Sequence, residues 1–265
     1  MPRKQNPKQK RGGRGGTTDR PSDDVSGSPP KPRRGADKIS PTKLRIIGGR
    51  LGGRNIIYNG LRATRPMKDS IRESLFNVLG KQVMQGAIAY DLFAGTGVLA
   101  IESVSRGAKT AYAIDQMKPA IQQIRKNVAA LDVEEQVQVL QGDAFRLAKR
   151  LLRSGVETPA EGQEIKDAEE SNASQNESNA KSIVASSTPP LEMDHWVVFL
   201  CPPYIMWEEQ TQALFDTIEH VQSTMPQGSV IVCESEVHWP AEGMPGDAQR
   251  WDIRERGNVR LAFYD

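Results

Sequence analysis

The 265-residue sequence predicts an α/β fold: a mostly parallel seven-stranded sheet with helices on both faces and an antiparallel hairpin at one edge. Three observations carry that prediction. Short apolar runs alternate with helix-length segments from residue 87 to residue 234. The first of these runs ends in a carboxylate and breaks into a glycine turn, Asp91-Leu92-Phe93-Ala94-Gly95-Thr96-Gly97. The last two runs flank Gly257-Asn258, a hairpin signal.

Taken in order, residues 45–55 carry the glycine pairs Gly48-Gly49 and Gly52-Gly53. A helix follows over 70–79. Ser70-Ile71-Arg72-Glu73 has the form of a capping box, and Ile71, Leu75, Phe76 and Leu79 recur at helical spacing. Residues 87–91 are a strand, 98–106 a helix closed by Gly107, 110–115 a strand and 118–131 a helix. Then come a strand at 137–140, a short helix at 144–152, a strand at 196–201, a helix at 208–220 and a strand at 229–234. The hairpin strands are 251–255 and 259–264.

Two stretches do not fit a packed domain. Residues 1–40 are rich in Lys, Arg, Gly, Pro and Ser and include Arg11-Gly12-Gly13-Arg14-Gly15-Gly16. Residues 154–192 are dominated by Glu, Ser, Asn, Gln and Ala. Both have too little apolar side chain to offset the entropy of ordering, so disorder is expected for each. The second is an acidic insertion. The expected organisation is a basic tail over 1–40, an extension over 41–83, and a main domain over 84–265 interrupted by that insertion.

The net charge of +2 conceals a strong asymmetry. Residues 1–40 hold eleven Lys/Arg against four Asp, and 41–83 hold nine against two, so the remainder is acidic. A basic N-terminal third points to a polyanionic partner, nucleic acid first. The two cysteines, Cys201 and Cys233, lie in apolar runs without metal-ligand spacing, and three scattered histidines add no ligand set. No metal is expected. The basic N-terminus has no apolar stretch behind it, and no run is long enough to span a bilayer. A cytoplasmic monomer without membrane contact is the expectation.

The chemistry concentrates where strands end, because ligands of open parallel sheets bind outside the strands' carboxyl ends. Asp91 at the first strand end can hold an ammonium group, and Gly95 and Gly97 let a ligand lie on bare backbone at a helix start. Asp115 ends the next strand about twenty residues on, where a ribose hydroxyl pair is caught. Asp143 ends the third and can meet an adenine amine. Phe93, Gln116 and Ala144 belong to the same expected site. An amino-acid head, a ribose and an adenine together suit S-adenosyl-L-methionine. The run Gly95-Thr96-Gly97-Val98-Leu99-Ala100 also fits a relaxed dinucleotide fingerprint, which keeps a nicotinamide-dependent oxidoreductase open, although Asp91 would repel a pyrophosphate.

The fourth strand ends in Cys201-Pro202-Pro203-Tyr204. Two prolines fix the backbone there, Tyr204 can stack on a flat base, and a carbonyl in the turn can accept from an exocyclic amine. These four residues are the candidate catalytic group for methyl transfer to a nucleobase amine, a transfer that depends on positioning more than on a strong base.

With these motifs in place, the chain resembles the bacterial small-subunit ribosomal RNA guanine-N2 methyltransferases. The resemblance rests on Arg45-Ile46-Ile47-Gly48-Gly49, Thr64-Arg65-Pro66, residues 69–77, the Asp91–Gly97 turn and Glu234-Ser235-Glu236. It implies a Rossmann-like class I methyltransferase fold and a guanine amine in ribosomal RNA, on a small ribosomal subunit, as the target. It also implies that Arg45, Arg54, Arg65 and Arg72 lie near the RNA or the target pocket. One position departs from the family: it has Asp or Asn before Pro-Pro, and this chain has Cys201, whose thiol is a weak acceptor. That departure leaves open a non-catalytic RNA-binding or ribosome-assembly role. DNA amine methylation is a further alternative, since such a turn also serves adenine and cytosine amines.

Overall fold

The structure, a computed structural model, describes residues 41–58, 66–152, 194–239 and 243–265. The expectations for the tail over 1–40, the insertion over 154–192 and Arg65 lie outside the described residues. In chain order the elements are β1 (Thr42–Arg45), β2 (Asn55–Tyr58), α1 (Asp69–Met84), β3 (Ile88–Asp91), α2 (Val98–Ser105) and β4 (Thr110–Asp115). They continue with α3 (Lys118–Ala130), β5 (Val137–Gln141), α4 (Ala144–Leu151), β6 (Trp196–Leu200), α5 (Ile205–Glu209) and α6 (Thr211–Thr224). The last are β7 (Val230–Glu236), β8 (Trp251–Arg256) and β9 (Val259–Tyr264).

Seven strands form one sheet in the order β5-β4-β3-β6-β7-β9-β8. The pairs from β5 to β7 are parallel, while β9 runs antiparallel to both β7 and β8. Strand order reverses at β3 and β6, which lie side by side with Asp91 opposite Phe199. The carboxyl ends of β3 and β6 therefore form the crevice where such sheets bind ligands.

Side chains alternate between the two faces. Ala89, Phe199 and Val232 join α1, α2 and the N-terminal hairpin in one core, with Cys201 packed against it. Tyr90, Leu200 and Cys233 join α4 and α6 in the other. Tyr90 and Tyr112 stack there with centroids 5.1 Å apart.

The N-terminal segment is a β1–β2 hairpin. It packs on α2 and α3 through buried Ile46, Leu51 and Ile56. The Asn127 side chain meets both backbone groups of Ile57 at 2.9 Å, as a neighbouring strand would. Gly49 is obligatory: its φ is 73°, and a Cβ there would lie 1.9 Å from the Ser105 backbone oxygen. Residues 41–83 thus share one core with the sheet.

Two local expectations need correction. Ser70 does not cap α1. The helix starts at Asp69 behind Lys68, and an Asp69–Arg72 ion pair at 2.9 Å occupies its first turn. Gly80, at φ 67°, then kinks α1, which runs on to Met84. The helix expected over 208–220 is instead α5 and α6, broken at Gln210.

Candidate active site

Asp91 closes β3 with 1% of its surface exposed. Among the described residues neither carboxylate oxygen has a hydrogen-bond partner. Burial raises its pKa from 3.8 to about 7, and the Asp115 charge adds to the rise; the Ala100 N–H, in the first turn of α2, is near enough to oppose it without meeting the geometry of a hydrogen bond. A buried carboxylate with empty acceptor sites is costly unless a ligand supplies donors.

The glycine turn beside it is held by Asp115. One carboxylate oxygen accepts from the Gly95 N–H at 2.9 Å and the other from the Met117 N–H at 2.7 Å. Gly97 adopts φ 75°, and a Cβ there would come within 2.8 Å of the Ile124 side chain. The turn therefore requires glycine for both conformation and space. Asp143 is exposed and caps α4, accepting from the Arg146 N–H at 2.9 Å. Gln116 is exposed and Ala144 buried on the same edge. Phe93 and Phe145 meet edge to face at 5.8 Å, forming an aromatic wall beside Ala144.

On the other side of the crevice, Pro202 is buried, Pro203 exposed, and Cys201 and Tyr204 half-buried. Burial pushes the Cys201 thiol well up, and the charges of Glu234 and Asp91 add to the rise. The shift favours the thiol over the thiolate, the less nucleophilic form.

Glu234, the first residue of the Glu234-Ser235-Glu236 run, joins the candidate site. The Tyr204 hydroxyl donates to its Oε1 at 2.9 Å, and the Trp207 indole donates to its backbone oxygen at 2.7 Å. Burial raises the Glu234 pKa, against the Tyr204 bond, which lowers it. A lone glutamate inside the apolar run Val230-Ile231-Val232-Cys233 was its available signal.

The three arginines that are described, Arg45, Arg54 and Arg72, do not converge on one surface. Arg72 is fully buried and is corrected from RNA contact to structural anchor. It donates to Glu102, to Asp69, and to the backbone oxygens of Met67 and Arg45. Glu102 is equally buried and also binds Arg106 and the Ile47 N–H. Arg54 donates to the Leu131 and Ala130 carbonyls at the end of α3, a C-terminal cap. Arg45 is exposed, 3.9 Å from Asp69.

A cleft of about 660 Å³ lies between α1 and the β8–β9 turn, lined by Lys68, Ser74, Asn77, Arg254, Arg256 and Asn258 among others. Its Val259 pairs with Glu236, two residues along β7 from Glu234. Among the described residues no cluster of His, Cys, Asp and Glu could hold a metal ion, and no helix is long and apolar enough to cross a membrane.

Residues 44–158 match the model of a family described as "Conserved hypothetical protein 95". Ribosomal RNA small subunit methyltransferase D of Escherichia coli strain K12 is 28% identical over 224 residues, 83% of this chain and 88% of that protein. The chain is thus similar, over most of its length, to a ribosomal RNA small subunit methyltransferase. The protein of the same name from Buchnera aphidicola subsp. Acyrthosiphon pisum is 36% identical over 92 residues, 35% of this chain and 48% of that one. The match therefore spans about half of that protein's length, though most of the E. coli protein's. A solved T. thermophilus 16S rRNA N2 G1207 methyltransferase, in complex with AdoMet and guanosine, superposes with a TM-score of 0.52 at 13% identity. It covers 85% of this chain and 50% of that one, a likeness of fold. The sheet order and this likeness describe a class I methyltransferase fold.

Proposed function

We propose that the protein transfers a methyl group from S-adenosyl-L-methionine to the exocyclic N2 amine of a guanine in small-subunit ribosomal RNA. The observation that carries this reading is the buried, partnerless carboxylate of Asp91 under a glycine turn, one strand from Cys201-Pro202-Pro203-Tyr204. The similarity to ribosomal RNA small subunit methyltransferase D supports the ribosomal RNA target.

The residues present fit the donor. Asp91 offers an ammonium group the acceptors it lacks a partner for, and the same charge would repel a dinucleotide pyrophosphate. The turn through Gly95 and Gly97 leaves backbone uncovered for the amino-acid moiety. Each Asp115 oxygen accepts one backbone N–H and keeps a lone pair for ribose hydroxyls. Asp143, Ala144, Gln116 and the Phe93–Phe145 wall surround the expected place of the adenine. When bound, the donor supplies a methyl group made electrophilic by its sulfonium.

The rest is positioning by the chain itself. Pro202 and Pro203 hold their carbonyls in a fixed turn, and Tyr204 offers a face on which a base stacks, worth about 1–3 kcal/mol. Glu234 fixes the Tyr204 ring through its hydroxyl. RNA approaches along the cleft between α1 and the β8–β9 turn, where Lys68 and Arg256 meet its phosphates. Arg45 lies on the rim and remains a candidate contact.

The test is methyl transfer to small ribosomal subunits from cells lacking the activity, followed by mass spectrometry of the nucleosides. N2-methylguanosine is the expected product. A folded protein that binds S-adenosylhomocysteine and leaves guanosine unmodified refutes the reading.

A further inference from the structure

Cys201 raises a specific question: which group takes the hydrogen bond from the target amine where the family has a carboxylate or amide oxygen? Strand register answers it. Phe199 of β6 pairs with Asp91 on one side and Val232 on the other. Cys201 and Glu234 each lie two residues beyond that row, about 7 Å further toward the carboxyl edge. The shared parity puts Asp91, Cys201 and Glu234 on one sheet face, the face covered by α1 and α2. Glu234 is thus beside Cys201, 9% exposed, with Oε1 engaged by Tyr204. Its second oxygen is not among the buried atoms that lack a partner, so a polar group or open space reaches it.

We propose that Glu234 is a catalytic residue that replaces the missing oxygen at position 201: its carboxylate accepts the N–H of the target amine and then the proton. The proposal rests on the amine-methylation reading. As the nitrogen lone pair forms the new N–C bond, the donor's S–C bond breaks with its pair going to sulfur. The nitrogen then carries a positive charge and releases one proton to the Glu234 carboxylate, which passes it to water. Tyr204 serves both partners, stacking on the base while its hydroxyl orients the carboxylate and favours its ionised form.

Replacing the carboxylate by an amide makes the inference testable. In Glu234→Gln the amide oxygen satisfies Tyr204, which leaves the NH2 donor facing a donor amine. Methyl transfer to small ribosomal subunits should fall about 100-fold, as on losing one well-placed acceptor. Affinity for S-adenosylhomocysteine by calorimetry should stay within about twofold, which also verifies folding. Glu234→Asp, which keeps the charge but withdraws it, should fall between the two. The deciding readout is the double-mutant cycle with Cys201→Asp. With an oxygen restored at 201, the cost of Glu234→Gln should shrink to about tenfold or less. Equal losses in both backgrounds overturn the proposal, as does a Glu234→Gln enzyme at native rate. So does a Cys201→Asp variant that turns over about 100-fold faster than the native protein. If neither the native protein nor Cys201→Asp transfers a methyl group, the underlying function falls and this inference with it.

Discussion

Asp91→Asn should make the ligand-free protein more stable at alkaline pH while weakening donor binding. The magnitude follows from the displaced titration. A carboxyl whose pKa is 3.8 unfolded and about 7 folded costs about 4 kcal/mol when ionised in the native state. The sign is opposite to that of a salt-bridged aspartate. Between these two values the folded state binds more protons than the unfolded one, so stability falls as pH rises through the window and levels off above it. Of the total, about 2–3 kcal/mol falls between pH 5 and pH 8. Asparagine has the same shape and does not titrate, so the difference between variant and native should grow by that amount over the same interval. Any fixed penalty from burying an unpaired amide appears at both pH values and cancels.

Urea denaturation of both proteins at pH 5 and pH 8, without ligand, measures this directly. Calorimetry with S-adenosylhomocysteine at pH 8 supplies the functional half. Losing a charge-assisted contact of about 1.5–3 kcal/mol should weaken binding by roughly ten- to a hundred-fold. A stability difference that stays constant from pH 5 to pH 8, or an undiminished affinity in the variant, would refute the reasoning. In the first case Asp91 is not the destabilised carboxylate its burial describes. In the second its empty acceptor sites do not face the ligand.

Other substitutions test the surrounding elements. Gly97→Ala should cost about 1–2 kcal/mol from backbone conformation alone, read by urea midpoint, with further loss from the contact at Ile124. Arg72→Met should destabilise by about 3–5 kcal/mol, because it leaves buried Glu102 without a buried cation; per folded molecule, RNA affinity should not change. Lys68→Glu and Arg256→Glu should leave stability and S-adenosylhomocysteine affinity unchanged. Each should weaken RNA binding and reduce its salt dependence by about one phosphate contact, measured by filter binding across a salt series.

The central sheet was legible in the sequence because its strands are buried on both faces and bounded by turns, so each apolar run marks a strand. The ends of β3, β4 and β5 could be located within a residue or two, and with them Asp91, Asp115 and Asp143. Local pattern was less informative where a side chain's partner lies far along the chain. The Ser70–Glu73 spacing imitates a capping box, but the Asp69–Arg72 pair and the contacts of Arg72 with β1 start the helix one residue earlier.

Arg72 and Glu234 show the same physical difficulty with opposite consequences. Arg72, Leu75, Phe76 and Leu79 recur at the spacing of a single helix face, so a strict reading of the period already places the arginine in the core. A buried arginine requires a counter-charge, and α2 contains one acid, Glu102, among apolar neighbours. The pair was therefore inferable as two local violations of pattern that satisfy each other thirty residues apart. Glu234 is a third such violation, a carboxylate in a buried strand, and its protein partner is Tyr204. The difference lies in what remains unsatisfied. Arg72 and Glu102 exhaust much of their bonding capacity on the chain, which marks a structural core. Asp91 retains both oxygens without partners, and Tyr204 stays half-buried at the end of β6, which marks a site shaped for something else. Charged residues that break an apolar pattern divide into these two kinds by whether the fold itself completes their hydrogen bonds.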